Sequence, residues 1–225
     1  MGWLPTLLQG TLITLQISVG AFLIGLLIGF PVAMIKLKAG PGLVRLANGY
    51  TTVCRSVPEL LLILLLYYAG ADLFNQISVL LTGEAIELNG FIVAVVVLGV
   101  VQGAYVAEIL RGAISAIPFG QIEAARALSM PPLLYTRRII IPAMVPYALG
   151  GLSNLWLILI KDSALISVVG YSELLYSAKQ AAGTTKHYFL FYLIAAALYL
   201  VITVLSSALL QVLERRVSLW MQSHA

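Results

Sequence analysis

Five apolar runs, each long enough to cross a hydrocarbon core of ~30 Å, dominate the chain; about 20 helical residues suffice for one crossing. They cover about Thr11–Ile35, Ser56 to Leu81, Gly90–Leu110, Met144–Val169 and Tyr188–Leu213. In lipid the backbone must satisfy its own polar groups, so each run is predicted helical. Only 10% of the residues are charged and 61% are hydrophobic, against about 25% charged in soluble domains. The expectation is an all-α polytopic membrane protein, residues 1–225 forming one transmembrane unit. The second run is the least regular. It is cleanly apolar only from Ser56-Val57-Pro58-Glu59 to Ala69, then meets Gly70, Asp72, Asn75 and Gln76. Its continuation to Leu81 requires a polar side that faces protein or water.

An odd number of spans puts the termini on opposite sides. Lys36, Lys38, Arg45, Arg55, Arg111, Arg126, Arg137, Arg138, Arg215 and Arg216 then share one side, whereas only Lys179 and Lys186 lie on the other and Lys161 falls within a span. Basic loops stay in the cytoplasm, which predicts the N-terminus outside and the C-terminus inside a cytoplasmic (inner) membrane. The net charge of +4 is thereby explained by membrane side, and a nucleic-acid partner is not expected. The single cysteine, Cys54, excludes an internal disulfide and reads as a small, reduced residue near the cytosolic boundary. No His, Cys or carboxylate cluster has metal-ligand spacing, no nucleophilic triad is suggested, and no G-x-x-x-x-G-K-[ST] occurs. No cofactor is expected on this chain; if nucleotide drives it, another chain binds the nucleotide.

Residues 111–142, RGAISAIPFGQIEAARALSMPPLLYTRRIIIP, interrupt the apolar pattern. Pro118 and Gly120 can stop one helix and start another, and the Ala-rich Gln121–Ser129 is predicted helical. Pro131-Pro132 should end it near Ser129, because a residue before proline avoids the α region. A short helix is thus presented on a cytosolic loop between two spans. Glu123-Ala124-Ala125, three residues, Ser129, nine residues, then Ile139-Ile140-Ile141-Pro142 resembles the EAA loop of ABC importer permeases. Ser129 stands where that family has Gly, and Ile141 where it has Leu. The Ser weakens the tight turn after the helix, which Pro131-Pro132 is expected to make instead.

The resemblance extends over nearly the whole chain. Gly49-Tyr50-Thr51-Thr52, Arg55-Ser56-Val57-Pro58-Glu59-Leu60, Gly103-Ala104-Tyr105, Glu108, Arg111-Gly112 and Lys161-Asp162-Ser163-Ala164-Leu165 are similar to the polar-amino-acid permeases, among them the histidine/lysine/arginine/ornithine and opine permease subunits. The resemblance implies a type I ABC importer permease fold and no covalent chemistry on this chain. It also implies a second, related permease, two cytosolic ATPases carrying ATP and Mg, and a binding protein outside. Glu123, Ala124 and Ala125 then form the coupling helix, with Ser129 at its end. Arg137 and Arg138 touch the ATPase on that view, although membrane topology accounts for them equally well. The alternative class is an ion-coupled carrier or channel working without ATPases.

Three charged residues are candidates for the translocation path. Lys161 and Asp162 lie deep in the fourth run, where a charge costs on the order of 2.5–3.5 kcal/mol at a helix centre. Neighbouring helix positions point about 100° apart, so each needs another partner. Asp162 suits an ammonium or guanidinium and Lys161 a carboxylate; ion pairs with another helix or with the partner permease are the competing reading. Glu59 suits a basic substrate, but Ser56-x-x-Glu59 also spells a helix capping box. Glu108 and Arg111, at i and i+3, read as a surface pair. The G-x-x-x-G pairs Gly25/Gly29 and Gly99/Gly103 permit close helix packing, inside the chain or against a partner.

Overall fold

The computed structural model describes residues 2–84 and 89–224, the side chains through 217. Five long apolar helices or helix stacks have the length to cross a membrane. They are α1 (Leu4–Lys38), α3 (Glu59–Thr82), α4 (Gly90–Ser115), the stack from Pro132 to Val169, and α9 (Tyr188–His224). Three shorter helices join them: α2 (Pro41–Ser56), α5 (Phe119–Ala127) and α8 (Leu174–Thr185). The stack itself is compound. A four-residue α6 (Pro132–Tyr135) runs into a widened π turn at Thr136–Ile140, then α7 (Ile141–Asp162), then a tightened 3₁₀ segment at Ser163–Val169.

The helix α4 is the centre. Its buried face includes Ala94, Leu98, Val101, Ala104, Val106 and Ala107, all at most 1% exposed. The first helix lies along it, and the glycines of both set the distance. A Cβ at Gly29 would sit 2.5 Å from Val106 Cγ1 and 2.9 Å from the Ala107 backbone nitrogen. A Cβ at Gly99 would meet Ile24 at 2.5 Å, and one at Gly103 would meet Ile28 at 2.9 Å. The two G-x-x-x-G pairs therefore face each other within the chain, and the alternative that they serve a partner is not needed. Mutual approach of backbones is what small residues supply in lipid, where apolar burial alone gives no drive.

Several expected boundaries move. The first helix starts at Leu4 rather than Thr11 and runs on to Lys38, with Pro5 in its first turn, where a missing N–H costs nothing. Residues 41–55, expected as a loop, and Ser56, expected to open the second span, form α2, which Pro41 starts. The loop after the fourth span contains α8. Glu84 is exposed, and Glu87 lies outside the described residues. The irregular second run continues as helix to Thr82; Asp72, Asn75 and Gln76 are exposed on α3, as are Leu73, Phe74 and Ile77 beside them, because the fold leaves this helix largely uncovered.

Glu173, not singled out by its sequence context, is fully buried. It caps α8, accepting from the backbone N–H of Leu175 (2.9 Å) and of Tyr176 (2.7 Å). It also accepts from the hydroxyls of Tyr199 on α9 (2.8 Å) and Thr14 on α1 (3.3 Å). Gly10 of α1 lets the α8 backbone approach; a Cβ there would lie 3.0 Å from Leu174 Cα. One carboxylate thus ties three helices together at the end of the bundle opposite α5. Burial pushes its pKa above the ordinary 4.5, although all four donors oppose the shift. The folded chain then holds that proton more tightly than the unfolded one, so stability falls as pH rises from the ordinary Glu range through the raised value. Glu173→Ala removes a cap worth about 1 kcal/mol and takes the acceptor from the buried Thr14 hydroxyl at about 1–3 kcal/mol. We expect a loss of about 3 kcal/mol and of that pH slope in thermal melts of the purified protein. A melt unchanged from wild type across pH would refute it.

Candidate functional site

The short helix α5 spans Phe119–Ala127, two residues earlier at each end than the expected 121–129. The flanking helices also intrude on the expected 111–142 loop: α4 continues to Ser115 and the next helix begins at Pro132. Arg137 and Arg138 consequently sit on the π turn, both exposed, rather than on a loop. Ala125 is 1% exposed and packs into a core with Ile114, Ile117, Tyr135 and Ile140, whereas Glu123 and Ala124 face outward. The outward surface includes large apolar groups: Phe119, Leu128 and Leu133 are 64%, 77% and 83% exposed.

How α5 ends differs from expectation. Ser129 itself adopts the left-handed region at φ 52°. Its N–H donates to Arg126 O (2.9 Å), and Met130 N–H donates back to Ala125 O (3.1 Å). This is a Schellman closure, in which a left-handed residue just past the helix lets two following amides satisfy its last carbonyls. Met130 packs back on the core that holds Ala125, which completes it. The turn is therefore made by Ser129, and Pro131-Pro132 start the next helix instead. The left-handed conformation costs an L-residue roughly 1–2 kcal/mol. Ser129→Gly should raise stability by about 1 kcal/mol, read as an upward shift in melting temperature; a lower melting temperature would show that the Ser hydroxyl compensates.

At this end of the bundle α1, α2 and α4 are joined by charge. Lys36 Nζ pairs with Glu108 and donates to Thr51 Oγ1, and Arg111 holds the other Glu108 oxygen at 3.0 Å. Glu108–Arg111 is thus not a simple surface pair: the Lys36 side chain is 5% exposed and spans from α1 to α4. Lys38 lies 4.7 Å over the Tyr135 ring and donates to Thr136 (3.2 Å), tying α1 to the start of the fourth span. In α2, Tyr50 donates to Val100 O at 2.5 Å, and burial pushes its hydroxyl up. Burial likewise raises the Cys54 thiol, which keeps it protonated and unreactive.

The candidate path residues divide. The capping box does not form, because Ser56 is the last residue of α2 and α3 is preceded by Pro58 without a side-chain cap. Freed from that role, the Glu59 carboxyl faces both Asp162 at the end of α7 and Tyr105 of α4. Asp162 Oδ2 accepts from Gln102 Nε2 at 3.3 Å. Gln102 is 1% exposed, and its Oε1 has no partner among the described residues. Two carboxyls more than 100 residues apart in sequence are thus gathered across three helices, with a buried amide orienting one of them. Lys161 is exposed and enters no ion pair among the described residues. Tyr105 and Gln102 were missed as candidates; Gln102 showed only as a polar residue inside an apolar run, and Tyr105 also as part of the Gly103-Ala104-Tyr105 stretch of the resemblance.

Residues 21–219 match the family of binding-protein-dependent transport system inner membrane components. The octopine transport system permease protein OccQ of Rhizobium radiobacter is 39% identical over 216 residues, covering 96% of this chain and 91% of its own. The histidine/lysine/arginine/ornithine transport system permease protein HisQ of Salmonella typhimurium is 35% identical, with coverage of 96% and 95%. A crystal structure of an amino acid ABC transporter with histidines superposes with a TM-score of 0.78 at 34% identity, covering 94% of each chain. A methionine ABC transporter, MetNI, shares the fold at a TM-score of 0.75 and 23% identity. Five membrane-length helices, an exposed α5 closed by a left-handed turn, and these likenesses together show that the chain belongs to the binding-protein-dependent transport system inner membrane component family, as a multi-pass permease subunit of the type I ABC importer fold.

Proposed function

We propose that this chain is one transmembrane domain of an ATP-driven importer for basic amino acids or opines. It pairs with a second, related permease, with two cytosolic ATPases that hold ATP and Mg, and with an amino-acid-binding protein outside. The N-terminus lies outside and the C-terminus in the cytosol, supported by the segregation of basic residues to the α5 end. The relatives that transport octopine, nopaline, or histidine, lysine, arginine and ornithine support the substrate class.

The observation that carries the proposal is the outward face of α5. Glu123 and Ala124 are exposed beside Phe119, Leu128 and Leu133, at an end of the bundle that carries exposed cations and projects beyond the spans. Apolar surface of this kind in water marks a protein interface. Small Ala side chains admit the helix closely into a cleft, Glu123 supplies a charge for an ATPase cation, and Arg137 and Arg138 flank the contact. Ala125 and the Ser129 turn fasten α5 to the spans, so closure of the ATPases moves them as a lever. ATP-driven closure opens the permease pair outward to receive substrate from the binding protein, and hydrolysis returns it inward. In the path, Asp162 and Glu59 receive the cationic group, and Lys161 faces the carboxylate or an acidic group of the partner permease.

The test is the reconstituted complex. Glu123→Lys should abolish substrate-stimulated ATP hydrolysis, an effect of more than tenfold, while the subunits still copurify. Uptake by the permeases alone, without ATPases, would instead establish an ion-coupled carrier, a reading the relatives do not favour.

A further inference from the structure

A polar cavity of about 450 Å³ opens between α1, α2 and α4 on the α5 side of the carboxyl pair. Its lining includes Lys36, Thr51, Thr52, Arg55, Tyr105 and Glu108. Tyr105 is shared with the Glu59–Asp162 group, so the cavity and the carboxyl pair adjoin at that side chain. Their charges are opposite. The single carboxylate in the lining, Glu108, is balanced by Lys36 and is also held by Arg111 from outside the cavity. Arg55 therefore leaves the lining with one net positive charge: it is exposed, and its guanidinium carbon lies 5.9 Å from the Tyr105 ring centroid.

The direction in which the cavity faces follows from α2. Asn48, Thr52 and Arg55 share one face of this helix, and the exposed Leu43, Leu46 and Val53 lie roughly opposite at 3.6 residues per turn. The apolar face is the one suited to acyl chains. The cavity therefore opens opposite the apolar face of α2, which disfavours a lipid headgroup as its occupant. We infer that this cavity is an exit vestibule in which Arg55, backed by Lys36, receives the α-carboxylate of an amino acid after its cationic group has passed Glu59 and Asp162. The inference rests on the proposed import of basic amino acids and adds a second recognition point, for the group that every α-amino acid shares. Refilling of this vestibule from the cytosol would hold the complex against another cycle.

The test uses the complete complex, with its ATPases and binding protein, in proteoliposomes whose lumen corresponds to the cytosol and holds ATP. Labelled arginine uptake is measured with the lumen empty, or loaded with unlabelled arginine, or with agmatine, which keeps the guanidinium but lacks the carboxylate. Each variant is read against its own empty-lumen rate. Luminal arginine should inhibit wild type, and agmatine should inhibit about tenfold more weakly. Arg55→Gln should raise the arginine concentration needed for half-inhibition by about tenfold, and Arg55→Lys should recover part of it. Equal inhibition by arginine and agmatine, or inhibition unaltered in Arg55→Gln, overturns the vestibule alone. No arginine uptake by wild type overturns the basic-amino-acid reading and the vestibule with it.

Discussion

Gly29→Leu should prevent the chain from reaching its native packing. The first carbon of the new side chain would already meet Val106 at 2.5 Å and the Ala107 backbone nitrogen at 2.9 Å. A flexible neighbour can move aside, but a backbone atom in the central helix cannot do so without shifting α4. Overpacking a filled core ordinarily costs about 1–3 kcal/mol when side chains can adjust. Here the remaining three carbons also have to enter a seam where Ala33 is 0% exposed and Val106 is 0% exposed. The expected penalty is therefore at the top of that range or beyond it, enough to remove most folded protein from a membrane extract. Gly112→Ala is the matched control, because a Cβ there meets nothing within 4 Å. In detergent size-exclusion chromatography the control should run as wild type and Gly29→Leu should aggregate. A monodisperse Gly29→Leu protein with the wild-type melting temperature would show that the seam is looser than its geometry.

Asp162→Asn should leave assembly intact and reduce uptake of a guanidinium or ammonium substrate by roughly 10- to 100-fold in kcat/KM. The substitution keeps shape and can still bond Gln102, so the loss reports charge rather than packing. Hydrogen bonds to charged groups are worth about 1.5–3 kcal/mol, and 1.4 kcal/mol is tenfold. Glu59, facing the same point, retains one negative charge and keeps the loss from being complete. Glu59→Gln alone should have a smaller effect, and the double variant should approach no uptake. An Asp162→Asn complex that transports arginine with wild-type kcat/KM would move the cation site elsewhere.

The fold was legible in the sequence because five long apolar runs leave few alternatives. Individual boundaries were less so. Proline was read as a terminator at 131–132, but a proline opening a helix obeys the same φ restriction, and Ser129 had already closed α5. Local motifs misled where a distant partner competed. Ser56-x-x-Glu59 has the spacing of a cap, yet α2 extends through Ser56 and Glu59 turns toward Asp162, 103 positions away in sequence. Glu108–Arg111 has the spacing of a surface pair, yet Lys36, itself nearly buried, arrives from α1 to share the carboxylate. Glu173 has no local signature at all; its partners Thr14 and Tyr199 come from the two ends of the chain. Periodicity and spacing report what neighbours along the chain do, and these groups are defined by residues brought together only after the helices pack.

The fourth crossing is wound unevenly, wide at Thr136–Ile140 and tight at Ser163–Val169, with regular helix between. A rod with a slack coil at one end and a taut coil at the other can be twisted about its own axis by letting either coil take up the standard pitch. Such a twist would swing Asp162 around the shaft while leaving α5 and α8 anchored where they are. Torsion, and not only tilting of whole helices, is thus mechanically open to the segment that carries the acidic side chain.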